Sequence, residues 1–259
     1  MIREGESQRP REACRGPIRQ LLWRDGPAAV TLAILTIVLP LGTYALGGVC
    51  GAAPLGATLA ALAVGAVWVA IAAPVAAAGG SNGWGGLLRA GAVADASAVA
   101  LAVLWLAGRG SNGRSYITFL AAVEIYCTYA AMALAGAAAV LCAKKPAARY
   151  AVAAGAAAIL MAALATPFWI GGVLQSSPPQ HSQTVVAWAV LGNPFYSITS
   201  AVVERTHFTW HHAPVMYQRI TRIGTYAAPP PVAWHAAAWR YAVVAAVFGA
   251  VAFIRRRTA

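Results

Sequence analysis

Apolar residues fall in six blocks, at 28–48, 55–78, 93–107, 117–143, 151–174 and 239–254, separated by connections that carry most of the charge. A helix needs about 20 predominantly apolar residues to cross the roughly 30 Å hydrocarbon core of a bilayer. The longer blocks meet that length. The third and sixth are short by it, so four spans follow from length alone, and six are expected if the two short blocks cross as well. Pro40, Pro74 and Pro167 sit inside or near the ends of blocks. Membrane helices tolerate such prolines as kinks, and they are expected to mark bends and not boundaries.

The polar segments complete the pattern. Residues 1–26 carry six arginines around a short apolar patch of Ile18, Leu21, Leu22 and Trp23 on one helical face, as expected of an amphipathic helix lying in the membrane interface. Residues 175–238 hold all five histidines, the Pro178-Pro179 pair and the run Pro229-Pro230-Pro231, around a mostly apolar stretch at 184–203 centred on Asn193-Pro194. Two short helices broken at the proline, dipping into one leaflet without crossing, fit that stretch. The expected architecture is therefore an all-α polytopic membrane protein with about six transmembrane helices. It divides into a basic interfacial segment (1–26), helices one to five (27–174), an extracytoplasmic segment with re-entrant helices (175–238), and the last helix with a basic tail (239–259).

Composition agrees: about 60% of the residues are hydrophobic and only 10% charged, against roughly 25% charged in soluble domains. The formal charge of +12 forms no stripe interleaved with aromatics, which argues against nucleic acid. It reads instead as orientation. With six spans and a cytoplasmic N-terminus, the inner segments hold the N-terminal arginines, Arg89, Lys144, Lys145, Arg149 and Arg255 to Arg257. The outer ones hold Arg109, Arg114, Arg205, Arg219, Arg222 and Arg240. The excess places both termini in the cytoplasm of a multi-pass cell-membrane protein. Cys14, Cys50, Cys127 and Cys142 show no paired metal spacing and no disulfide framework.

The stretch from Leu191 through Asn193-Pro194-Phe195 to Glu204-Arg205 resembles the Asn-Pro-hydrophobic segment, ending in a basic residue, that precedes the last span in the membrane subunits of type-2 ABC exporters. Those permeases also resemble this chain in their interfacial N-terminal helix, six spans, cytoplasmic termini and re-entrant outer segment. The resemblance implies a permease that moves its substrate by alternating access. Asn193, Pro194, Phe195 and Arg205 would form an outer gate, and a second permease, identical or different, would complete the pair. In the family the connection between the second and third spans docks on the ATPase and often carries acidic residues. Here it reads Gly79-Gly80-Ser81-Asn82-Gly83-Trp84-Gly85-Gly86-Leu87-Leu88-Arg89, with no acid. Trp84, Leu87, Leu88 and Arg89 make either a small docking surface or part of a flexible loop, since each glycine weakens a helix by roughly 1 kcal/mol relative to Ala. The chain has no phosphate-binding Gly-rich loop, so it is expected to hold no cofactor. ATP and Mg would belong to a separate ABC ATPase subunit.

Two acids, Asp95 near the start of the third block and Glu124 in the fourth, fall in or at the edge of spans, where a carboxylate calls for a polar partner or a functional pathway. Asp95 at an interface and a structural Glu124 compete with a substrate or proton role. His207, His211 and His212 are spaced like one histidine box, so a membrane-bound metalloenzyme using them is the alternative to polar loop histidines. With no nucleophile elbow, no Cys-His pair and no close carboxylate pair, the expectation is that the chain is not an enzyme.

Overall fold

The computed structural model describes residues 26–80, 83–110, 117–166, 168–169, 184–185, 191–206 and 235–257. Seven helices are present among them: α1 Gly26–Val49, α2 Pro54–Ala78, α3 Gly83–Gly110, α4 Phe119–Leu141, α5 Pro146–Leu164, α6 Pro194–Thr206 and α7 His235–Arg257. All except α6 are long and apolar enough to cross a membrane. At 13 residues and 1.5 Å per residue, α6 is about 20 Å long, too short to cross. The expected interfacial helix over 1–25 lies outside the described residues, as does most of 175–238.

The centre of the bundle is α2 and α4. Their most apolar windows are 56% buried, against 11% for α1 and α7. Around α2 pack α1, α3, α4 and α5, while α7 packs chiefly on α4, and α6 touches α2, α4, α5 and α7. Small residues allow this. Ala61, Ala66, Ala70, Ala73 and Ala77 of α2 have no exposed surface, and in lipid, where no hydrophobic force pulls helices together, such close packing holds them. Two close approaches show it: a Cβ on Gly136 of α4 would stand 2.7 Å from Pro74 Cγ of α2, and one on Gly47 of α1 would stand 2.7 Å from Ala57 Cβ of α2.

Polar side chains tie the helices at three heights. Trp68 on α2 donates its indole N–H to Thr36 Oγ1 of α1 at 3.0 Å, and Tyr129 on α4 donates its hydroxyl to the Leu62 carbonyl of α2 at 2.6 Å. Between α3 and α4, Tyr126 donates to Asp95 Oδ1 at 2.8 Å. A polar group on a spanning helix must find such a partner, whether buried as Tyr129 is or exposed as Asp95 is, and each link contributes about 0.6 kcal/mol on average. Cys50, Cys127 and Cys142 are free thiols.

Three boundaries differ from the pattern of apolar blocks. Helix α3 begins at Gly83, ten residues before the third block, and α7 runs from His235 to Arg257, so both short blocks belong to helices of spanning length. The glycines and Arg89 lower the apolar signal of 83–92 without breaking the helix, for reasons visible in its packing. At the other end, α5 stops at Leu164 with Ala165 as its C-cap, ten residues short of the fifth block. The helix thus ends ahead of Pro167, itself outside the described residues. Pro40 and Pro74 lie inside helices as expected.

Candidate functional site

The connection between α2 and α3 is held from two sides. The Arg89 guanidinium of α3 donates to the Gly79 carbonyl. Arg149, in the first turn of α5, donates through Nη1 to the Gly80 carbonyl at 2.8 Å and through Nε to Ala143 O at 3.3 Å. Two cations thereby satisfy carbonyls just past the C-terminus of α2, where the helix dipole favours positive charge. The glycines serve proximity here. A Cβ on Gly80 would lie 2.4 Å from the Gly86 amide nitrogen, and one on Gly86 would lie 2.8 Å from Ala77 O.

Of the four residues read as a docking surface, the structure turns two outward. Trp84 is 76% and Leu88 58% exposed, and at i, i+4 they share one face of α3. Leu87 packs against the core, and Arg89 is spent on Gly79. The expected surface is thus smaller than the sequence implied. Arg149 entered the sequence reading only as one positive charge among several, because its partners lie 69 and 6 residues away and no local pattern announces them.

At the other end of the bundle, residues 191–192 are helical, Asn193 is not, and α6 starts at Pro194. Asn193 is fully buried and uses both ends of its amide. Its Oδ1 accepts from the Phe195 amide at 2.8 Å, and its Nδ2 donates to the Leu164 carbonyl, at the last residue of α5, at 3.2 Å. It is therefore an N-cap of α6 and a strap onto α5, with Pro194 in the first helical position that prolines favour. Tyr241 of α7 donates to the Gly192 carbonyl at 3.1 Å. Three helices meet at this one break. From it α6 runs buried, enclosing Tyr196, Ser197, Ile198, Thr199, Ser200 and Val202. Phe195 is half-buried against the core, and the Arg205 side chain lies outside the described residues.

Twelve residues beyond Gly83, Asp95 lies about 18 Å along α3, near the middle of the helix and exposed on its surface, and the Tyr126 hydroxyl donates to its Oδ1. Glu124 is 4% exposed on α4, one turn from the N-terminus of that helix, and the Thr128 hydroxyl donates to its backbone carbonyl at 3.1 Å. No group of three or more metal-capable side chains occurs among the described residues. His207, His211 and His212, the alternative metal ligands, lie outside them.

Fold and packing define the class: a multi-pass helical membrane protein. No protein-family model, curated protein or solved structure matches the chain.

Proposed function

We propose that the chain is the permease subunit of an ATP-driven ABC transporter, working as an exporter. In this reading it pairs with a second permease, a copy of itself or a relative, while separate ATPase subunits bind ATP and Mg. The end carrying Gly79 to Arg89 faces the cytoplasm of the cell membrane together with both termini, and α6 is the re-entrant helix of the outer side.

The observation that carries the reading is the braced α2–α3 connection. Arg89 and Arg149 bind it to α3 and α5, so a push on exposed Trp84 and Leu88 moves the ends of α2, α3 and α5 as one body. Helix α5 reaches the other end of the bundle, where its last carbonyl is held by Asn193. A displacement begun by ATP-driven closure of the ATPases then arrives at the start of α6, whose Asn193-Pro194-Phe195 turn forms part of the outer gate. ATP biases the two states because the ATPases contact the connection differently in each.

Tryptophan at a helix end also anchors spans at the membrane–water interface, so the test must read ATPase retention separately from insertion. In the double variant Trp84→Ala/Leu88→Ala, membrane insertion and thermal stability stay at wild-type values, while the amount of ATPase retained on the purified chain falls at least tenfold, as expected when two exposed apolar anchors worth about 1 kcal/mol or more each are lost. Unchanged retention in the double variant contradicts the docking role.

A further inference from the structure

Both α5 and α7 pack on α4, and between them lies an apolar groove of about 520 Å³. Its walls are small or aliphatic, with Gly136 and Ala139 at the floor, Gly155 and Ile159 on one side, and Val244 and Phe248 on the other. Ile159 is 72% exposed, so the groove opens sideways, toward the hydrocarbon of the membrane these helices cross.

The two ends of the groove differ. One is lined by Arg255 and Cys142 and adjoins Lys144 and Lys145, which are exposed on the turn before α5. The connections at this end, 79–89, 142–149 and 255–257, contain seven Lys or Arg residues and no Asp or Glu. Arg255 and Cys142 line the groove together, and burial pushes the Cys142 thiol up, with the Arg255 charge working against it. The other end is marked by Tyr241, whose hydroxyl is engaged with Gly192. From Arg255 to Tyr241 along α7 is about 21 Å. That exceeds one leaflet of about 15 Å and falls short of the full core of about 30 Å. The groove therefore has the length of one lipid, with a polar mouth at headgroup depth, and is too short to seat a spanning helix of a second copy along its length.

We propose that this groove binds an anionic phospholipid of the leaflet at the basic end, one acyl chain lying between Gly155 and Phe248 and the headgroup phosphate meeting Arg255 with Lys144 and Lys145. Charge complementarity selects the headgroup, because a basic recess between spans attracts anionic lipids. The inference stands apart from the transport reading and needs no ATPase.

The test uses the full chain, purified in mild detergent, with Cys14, Cys50 and Cys127 replaced by serine. Native mass spectrometry after addition of phosphatidylglycerol or phosphatidylcholine counts retained lipid, and maleimide labelling of Cys142 at mildly alkaline pH reads occupancy of the mouth. Phosphatidylglycerol is expected to be retained through detergent washing that strips phosphatidylcholine, and to slow labelling of Cys142. Arg255→Gln lowers that retention about fivefold, as loss of one juxtamembrane cation should. Gly155→Leu, placed where a Cβ meets nothing within 4 Å, fills the groove and abolishes retention with an unchanged helical spectrum. Should Arg255→Gln fail to fold, the pair Lys144→Gln/Lys145→Gln provides the same charge test. Equal retention of the two lipids overturns the proposal, and so does phosphatidylglycerol binding that survives Gly155→Leu. A dimer that Gly155→Leu dissociates also overturns it, by assigning the groove to a second copy.

Discussion

Asn193 gives the most exacting quantitative test of the outer end of the bundle. Replacing it by alanine removes two interactions at once. Loss of the N-cap on α6, Oδ1 to the Phe195 amide at 2.8 Å, costs about 1 kcal/mol. Loss of the Nδ2 donor leaves the Leu164 carbonyl without it at a fully buried position, which costs about 1–3 kcal/mol. Asn193→Ala is therefore expected to destabilise the chain by about 2–4 kcal/mol. Asn193→Ser separates the terms: serine caps helices as well as asparagine does, but its short hydroxyl does not reach α5, so only the carbonyl cost of about 1–3 kcal/mol remains. Equilibrium unfolding of the purified chain in detergent, followed by tryptophan fluorescence, measures both. A serine variant as stable as wild type, or an alanine variant within about 0.5 kcal/mol of it, would refute the strap between α5 and α6. Transport by the folded variants bears separately on the gate: full transport with Asn193→Ser or a Pro194 substitution removes the gate assignment even if the strap stands.

Two glycines on the walls of one groove should respond in opposite directions to the same substitution. Gly136→Ala drives a Cβ to 2.7 Å from the rigid Pro74 ring and is expected to cost about 1–3 kcal/mol from overpacking, whereas Gly155→Ala meets open space and should stabilise by about 0.4–1 kcal/mol; thermal melting of the two variants in one detergent decides it, and shifts of the same sign would contradict the packing. Tyr129→Phe should lower stability by about 0.6 kcal/mol through loss of the hydrogen bond to Leu62 O, measured by the same melts. Tyr126→Phe removes the hydroxyl that donates to Asp95 Oδ1 and should likewise cost about 0.6 kcal/mol; unchanged stability would contradict the α3–α4 link. Arg149→Gln should reduce transport more than it reduces ATP hydrolysis by the assembled complex, since the ATPase still docks while α5 is no longer braced to Gly80; proportional loss of both would contradict the brace.

The spans were legible where composition alone decides. Long runs of Ala, Val and Leu mark α1, α2 and α4 within a few residues, and Asn193-Pro194 announces the break before α6 because a capping amide followed by proline is a local device. The start of α3 was not legible. Gly83, Gly85 and Gly86 look like loop residues until Gly80 and Ala77 are seen to lie against Gly86, and Arg89 looks like a span limit until it is seen bonded to Gly79. Hidden for the same reason were the Asp95–Tyr126 and Tyr129–Leu62 pairs, which join residues 31 and 67 positions apart. The outward face of Trp84 and Leu88 could be named from their residue types, but the inward turn of Arg89 required the fold.

The reading as a permease rests most directly on one partnership. The tagged chain, extracted from its native membrane in mild detergent and identified with its partners by mass spectrometry, should carry an ABC ATPase in comparable amount and no stoichiometric metal. A chain recovered without an ATPase and holding stoichiometric iron, copper or zinc that is lost on His211→Ala would contradict that reading and place the function with the histidines at 207, 211 and 212.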